Sequence, residues 1–159
     1  MLSFTGSLSS DSDAFVIFVN EKYDYKDKRS LLSNSAVQKI NSFLNILKVK
    51  KNEEDINSFD ISDKQKCFII RVKNKFESHW SQENGGNFFS YLKKFKDIKK
   101  VDLYVDCIDL DKEKLISFFS QFIFGVNLKS YTFNKYKTLN KEKINKKIDF
   151  KIISKSKEK

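Results

Sequence analysis

Proline is absent from the 159 residues, and glycine occurs only four times. With so little glycine there is no G-x-G-x-x-G turn and no P-loop, which removes the usual dinucleotide and triphosphate cradles. Histidine occurs once, at His79, and one histidine cannot supply the clustered ligands of a zinc centre. The two cysteines, Cys67 and Cys107, each end an apolar run and are expected to be reduced core thiols, not a disulfide scaffold. Arginine is scarce too. Only Arg29 and Arg71 occur, so the net charge of +10 rests on lysine, whereas bidentate reading of nucleic acid leans on arginine. The apolar run "AFVIFV" at 14–19 is far too short for a secretory core or a membrane span, and "MLSFTGSLSSDSD" has no basic leader. A cytoplasmic protein without a membrane partner is expected.

What is present is apolar and aromatic: 40% hydrophobic residues, with 16 phenylalanines. That composition excludes a disordered chain. The length suits one domain, which would bury about 70% of its unfolded surface and needs no covalent staples. Lysine, asparagine, isoleucine, phenylalanine and serine abound while proline is missing, a profile of nucleotide bias in the coding DNA more than of a selected basic surface. Half of the charge excess is local, because residues 141–159 hold eight lysines against Glu142, Asp149 and Glu158.

"AFVIFV" predicts a strand covered on both faces. In "SLLSNSAVQKINSFL" (30–44), Leu32, Ala36, Ile40 and Phe43 recur at helical spacing. "ILKVK" (46–50) and "INSFDI" (56–61) alternate weakly and predict a hairpin around "NEED". "KCFIIRVK" (66–73) reads as a second buried strand, followed by a polar loop holding His79 and Trp80. "NGGNFFSYLKKF" (84–95) predicts a helix with Phe88, Leu92 and Phe95 on one face. In "VDLYVDC" (101–107), Val101, Leu103, Val105 and Cys107 alternate with Asp102, Tyr104 and Asp106, so one face is expected to be wet. A helix is expected from about 112 to 130, striped by Leu115, Phe118, Phe119, Phe122 and Val126. "KIDFKIIS" (147–154) reads as an edge strand with Lys151 turned to water. Strands alternating with helices predict an α/β sandwich, a mixed β-sheet flanked by helices. Residues 1–154 form its single domain, and 155–159 a solvated tail or linker.

Four groups could carry chemistry. His79 reads as a loop histidine beside a partly buried indole. Asp102, Asp106, Asp109 and Asp111 are the densest carboxylate group; no glycine-bearing loop folds them around an ion, and Asp109 or Asp111 has a helix to cap. Gly85 and Gly86 precede a helix and could free N–H groups for a phosphate, but close helix packing is the favoured reading. Tyr131, Phe133 and Tyr136, interleaved with Lys129, Lys135 and Lys137, could stack on bases. Rings placed just past a helix end also wedge that end onto a core, and that reading is preferred.

The stretch "GVNLKSYTFNKYKT" (125–138) resembles the end of the N-terminal domain of the leucyl aminopeptidase family, which shows G-x-x-x-x-S-Y-x-F-x-x-Y-K there. Gly125, Ser130, Tyr131, Phe133, Tyr136 and Lys137 match as they stand, as structural positions. Lys129 and Thr132 depart from the usual small residue and arginine, so no local anion contact is carried over. The resemblance implies a macro-domain-like fold. It further implies a non-catalytic role in hexamer assembly and in access to active sites, with the chain's own C-terminal catalytic domain as partner. Two divalent metals, Zn or Mn, would belong to that catalytic domain, and the parent enzyme would remove N-terminal residues from peptides. No catalytic residue, cofactor or metal is expected in these residues themselves. The alternative is a stand-alone basic module for nucleic acid or a phosphate-bearing ligand, with weak non-specific nucleic-acid binding possible in either case.

Overall fold

The computed structural model describes residues 2–135 and 147–154, with 132–135 as backbone only. It divides into two compact units. One comprises Met1–Asn74, Lys99–Asp109 and Ile148–Lys159; the other comprises Lys75–Ile98 and Leu110–Lys147.

Among the described residues, the first unit holds a six-stranded sheet, one α-helix and a short 3-10 turn at Val105–Cys107. Its strands are β1 (Leu2–Thr5), β2 (Ala14–Val19), β3 (Ile56–Asp60), β4 (Lys66–Arg71), β5 (Lys100–Tyr104) and β6 (Asp149–Ile153), with helix α1 at Asn34–Val49. The spatial order is β1-β6-β5-β2-β4-β3, parallel throughout except for the antiparallel β3–β4 pair. Every residue of β2 is buried, as its unbroken apolar run demands. Ser33 caps α1, its hydroxyl accepting from the Ala36 N–H at 3.1 Å, and Ile40, Leu44 and Leu47 form the buried stripe. Phe43 of this helix stacks on Phe59 of β3 at 4.5 Å between centroids.

The second unit is a helix pair, α2 (Ser78–Leu92) and α3 (Lys112–Lys135). Phe118 lies at its centre, with Phe76, Trp80, Phe119 and Phe122 within 6.1 Å of its ring. The helices cross where side chains vanish. A Cβ added at Gly85 would stand 2.0 Å from the Phe122 carbonyl oxygen, and one at Gly125 would stand 1.9 Å from that of Gln82. Close packing, not phosphate binding, is therefore the work of Gly85.

Several expectations are corrected. No hairpin starts at Ile46: residues 46–49 continue α1, with Ile46 and Val49 on its exposed side. The strand β1, unforeseen in the sequence, is a sheet edge, which places β6 between β1 and β5 and makes Lys151 half-buried. His79 and Trp80 sit in the first turn of α2, not in a loop. Among the described residues, no helix is long and apolar enough to cross a membrane.

Candidate functional site

The sheet unit contains a cavity of about 470 Å³ beside the start of α1. Phe15, Leu32, Ala36 and Ile61 give it an apolar lining; Ser9, Ser33, Ser62, Lys39 and Gln65 supply its polar groups. Most of these polar groups already serve the fold. The Lys39 ammonium donates to the Ile61 carbonyl at 2.6 Å, and the Gln65 amide donates to the Ser12 carbonyl and hydroxyl at 3.2 and 3.0 Å. Ser62 accepts from the Gln65 N–H at 3.1 Å, and Ser9 from that of Asp11 at 3.2 Å. The lining includes no carboxylate, histidine or cysteine, and its one cation, Lys39, is held on the Ile61 carbonyl.

A polar network lies at the exit of β5. The Asp27 carboxylate accepts the Leu31 and Leu32 N–H groups at 3.0 Å each, and the Tyr104 hydroxyl at 2.6 Å. Burial, then the adjacent Asp27, pushes the Tyr104 phenol far up. Tyr25 is pushed up to about 12 for the same two reasons in the same order. Arg29 donates to the Gly6 carbonyl and stands 3.6 Å from an Asp106 oxygen, tying the end of β1 to the exit of β5. The other arginine is also committed: Arg71 contacts Asp55 at 3.1 Å and donates to the Asn52 and Glu53 carbonyls. Both cysteines are free and buried. The Cys107 thiol donates to the Tyr104 carbonyl at 2.9 Å, and burial raises it to about 12, so it is an inert core thiol.

The four carboxylates singled out in the sequence each find different structural partners. Asp102 accepts the Ser9 N–H at 2.7 Å, and Asp106 meets Arg29 and the Ser154 hydroxyl. Asp109 takes Lys26 at 2.7 Å and Lys28 at 3.2 Å, which hold its carboxyl below the usual range. Asp111 accepts the Lys114 N–H at 2.9 Å, capping α3. Among the described residues, no three His, Cys, Asp or Glu side chains come together in a metal-holding group. The expectation of a wet face on β5 fails. Asp102 and Tyr104 are fully buried: the Ser9 N–H reaches one Asp102 oxygen and leaves the other without a hydrogen-bond partner, while Asp27 takes the Tyr104 hydroxyl.

The aromatic stretch is corrected as well. Helix α3 runs through Ser130, Tyr131 and Phe133 to Lys135, so there is no helix end at 130 to wedge, and Tyr131 is 71% exposed. Tyr136 and Lys137 lie outside the described residues, as do Lys146 and the tail 155–159. Sequence reasoning missed Asp27 and Arg29. Their signal was faint: a lone arginine two residues after an aspartate, before a serine-rich helix start.

No family model matches the chain. No curated protein matches it either. Solved structures do. The macrodomain of Thermus aquaticus DarG superposes with a TM-score of 0.63 at 8% identity, covering 97% of this chain and 98% of that one. The macrodomain of Mycobacterium tuberculosis DarG gives 0.59 at 10% identity, with the same coverage of 97% and 98%. A variant of tomato leucine aminopeptidase gives 0.60 at 15% identity, covering 96% of this chain but only 32% of the aminopeptidase. The chain thus spans about a third of the length of that enzyme. The fold is α/β and macro-domain-like.

Proposed function

We propose that the chain is the non-catalytic N-terminal domain of a di-metal leucyl aminopeptidase, serving oligomer assembly and access to the active sites. The observation carrying this reading is the coincidence of two features. Nearly the whole chain superposes on a third of an aminopeptidase, and "SYTFNKYK" resembles the motif that closes the N-terminal domain in that family. The parent enzyme would use two divalent metals, Zn or Mn, in a domain outside these residues. The described residues do not fit those metals, since Asp102, Asp106, Asp109 and Asp111 are each held by a different structural partner. Under this reading the chain alone cleaves no aminoacyl substrate, with or without added Mn²⁺ or Zn²⁺; metal-dependent turnover would contradict it. The deciding test is the reading frame past Lys159. A continuation encoding a Lys/Asp/Glu metal constellation supports the proposal, and a stop codon there overturns it.

A second reading is a free-standing basic module for nucleic acid or a phosphate-bearing ligand. It is favoured by the two macrodomains, each of which matches over 98% of its own length. Against it, both arginines are engaged inside the sheet unit, which leaves lysines as the basic groups for a phosphate.

A further inference from the structure

The cavity beside the start of α1 lies at the N-terminal ends of β2 and β4, where Phe15, Ile61 and Gln65 line it. At about 470 Å³ it falls within the range of sites that hold small ligands. Its floor is apolar: Phe15, Leu32 and Ile61 are buried, and Leu8 and Leu31 stand half-buried beside them. The polar groups around that floor share one bias. The hydroxyls of Ser9, Ser33 and Ser62 each accept a backbone N–H, from Asp11, Ala36 and Gln65 in turn, at 3.2, 3.1 and 3.1 Å. A hydroxyl whose oxygen accepts still has a proton to donate, and among the described residues none of the three donates it to a protein group. The Lys39 ammonium adds to the bias. It carries three protons, of which the Ile61 carbonyl takes one; because that carbonyl is neutral, the contact fixes the charge in place without cancelling it. Nothing in the lining opposes an anion, for neither it nor the first turn of α1 contains an acid.

We propose that this cavity binds a small amphipathic anion: a carboxylate carried on a short apolar body. The body would lie on Phe15, Leu32 and Ile61, and the head group would take protons from Lys39 and the serine hydroxyls. Charge chooses the head group. One cation in the lining matches one negative charge, whereas a phosphate monoester brings about −1.5 to −2 at neutral pH and would leave part of it without a partner. The apolar floor chooses the body, since a sugar or a peptide backbone laid on it would lose hydrogen bonds to water that the floor cannot replace. The site uses no residue on which the aminopeptidase reading rests, so the two stand or fall apart.

Titrating the full chain with octanoate at neutral pH, followed by the NMR shifts of its backbone amides, tests the proposal. Octanol supplies the same body without the charge, octylammonium reverses the charge, and octyl phosphate increases it. Octanoate should shift the amides of Ser9, Phe15, Ala36 and Ile61 and bind about tenfold more tightly than octanol, as one charge-assisted hydrogen bond would give. Octylammonium should not compete with it. Lys39→Met keeps the apolar stem and removes the charge; it should erase the advantage of octanoate and leave octanol binding as it was. Lys48→Met, near the far end of the same helix, should change neither, and circular dichroism checks that both variants fold. Octanoate that binds no tighter than octanol overturns the proposal on the parent protein alone. An advantage that survives Lys39→Met, or is lost equally in Lys48→Met, also overturns it, because the attraction is then to lysines at large. Octyl phosphate bound more tightly than octanoate overturns the choice of a carboxylate and supports the phosphate-bearing ligand of the second reading.

Discussion

Replacing Gly125 with alanine puts the helix crossing of the second unit to the test. The new Cβ would lie 1.9 Å from the Gln82 carbonyl oxygen, where real contacts do not come below 3.0 Å, so the helices must part by about an ångström. A gap of that size forfeits between a quarter and a half of the dispersion energy across a contact. The ring pair Phe88–Phe122, with centroids 5.7 Å apart, spans the same crossing and adds to the loss. Overpacking typically costs about 1–3 kcal/mol, a loosened aromatic pair a further ~0.5–1.5, and alanine returns about 1 through helix propensity. The net expectation is a destabilisation of about 1–3 kcal/mol. Gly85→Ala, with its Cβ 2.0 Å from the Phe122 oxygen, should cost a similar amount. The two should not add: once one methyl has parted the helices, the second finds room, giving a coupling of roughly 0.5–2 kcal/mol in a double-mutant cycle. Gly86→Ala is the control. Its nearest neighbours would be 3.7 and 3.9 Å away, so the same exchange should stabilise by about 0.5–1 kcal/mol. Urea titrations followed by the fluorescence of Trp80, the chain's only tryptophan and part of this unit, measure the parent and all four variants. An unchanged midpoint for Gly125→Ala, or strict additivity with Gly85→Ala, would refute the reasoning.

Three further outcomes are expected. Burial raises the Asp102 carboxyl above its ordinary 3.8, so the native state holds that proton longer and the parent loses stability as pH rises through the carboxylate range. The melting temperature of Asp102→Asn relative to the parent should therefore climb from about pH 3 upward and then level; a flat difference would contradict this. Tyr25, raised to about 12, contributes stability that is intact below its ordinary 10.0 and lost as pH climbs from there. Tyr25→Phe should lose less over that window in alkaline melts, and equal losses would remove Tyr25 from the account. Any duplex DNA binding should be sequence-blind, with a log–log salt slope of about −0.9 per phosphate neutralised. Tight binding at physiological salt that separates one sequence from its scramble would promote the binding-module reading.

What could be read from the sequence was whatever local pattern decides. "AFVIFV" and "KCFIIRVK" announced buried strands, the helical spacing of Ala36, Ile40 and Phe43 announced α1, and the two thiols announced themselves as core. Errors arose where distant groups decide. Asp102 and Tyr104 look like the wet half of an alternating strand, and only partners brought from elsewhere in the chain, Asp27 for Tyr104 and Ser9 for one Asp102 oxygen, go with their burial. The start of α2 escaped notice because Glu77 makes no side-chain cap. "LSFT" is too short to announce a strand without its partner β6. At the cavity, Phe15, Ile61 and Ala36 were each legible as apolar, but nothing local told that they would share a space. The aromatic stretch misled because Tyr131 and Phe133 extend a helix whose stop signal is weak: lysines and asparagines follow it, with no proline or glycine.

The pairing of β1 with β6 has a consequence for how the molecule is made. Leu2 finds its register against Phe150, so β1 hydrogen-bonds to a strand synthesised well over a hundred residues after it. At about 5–20 residues per second, β1 waits roughly 7–30 s for its neighbour to be synthesised. During that interval Leu2 and Phe4 have no strand beside them, while β2, β3 and β4 can already assemble. A nascent chain should therefore gain protease resistance around β2, β3 and β4 long before it does at β1, which is the part of the sheet that waits for β6.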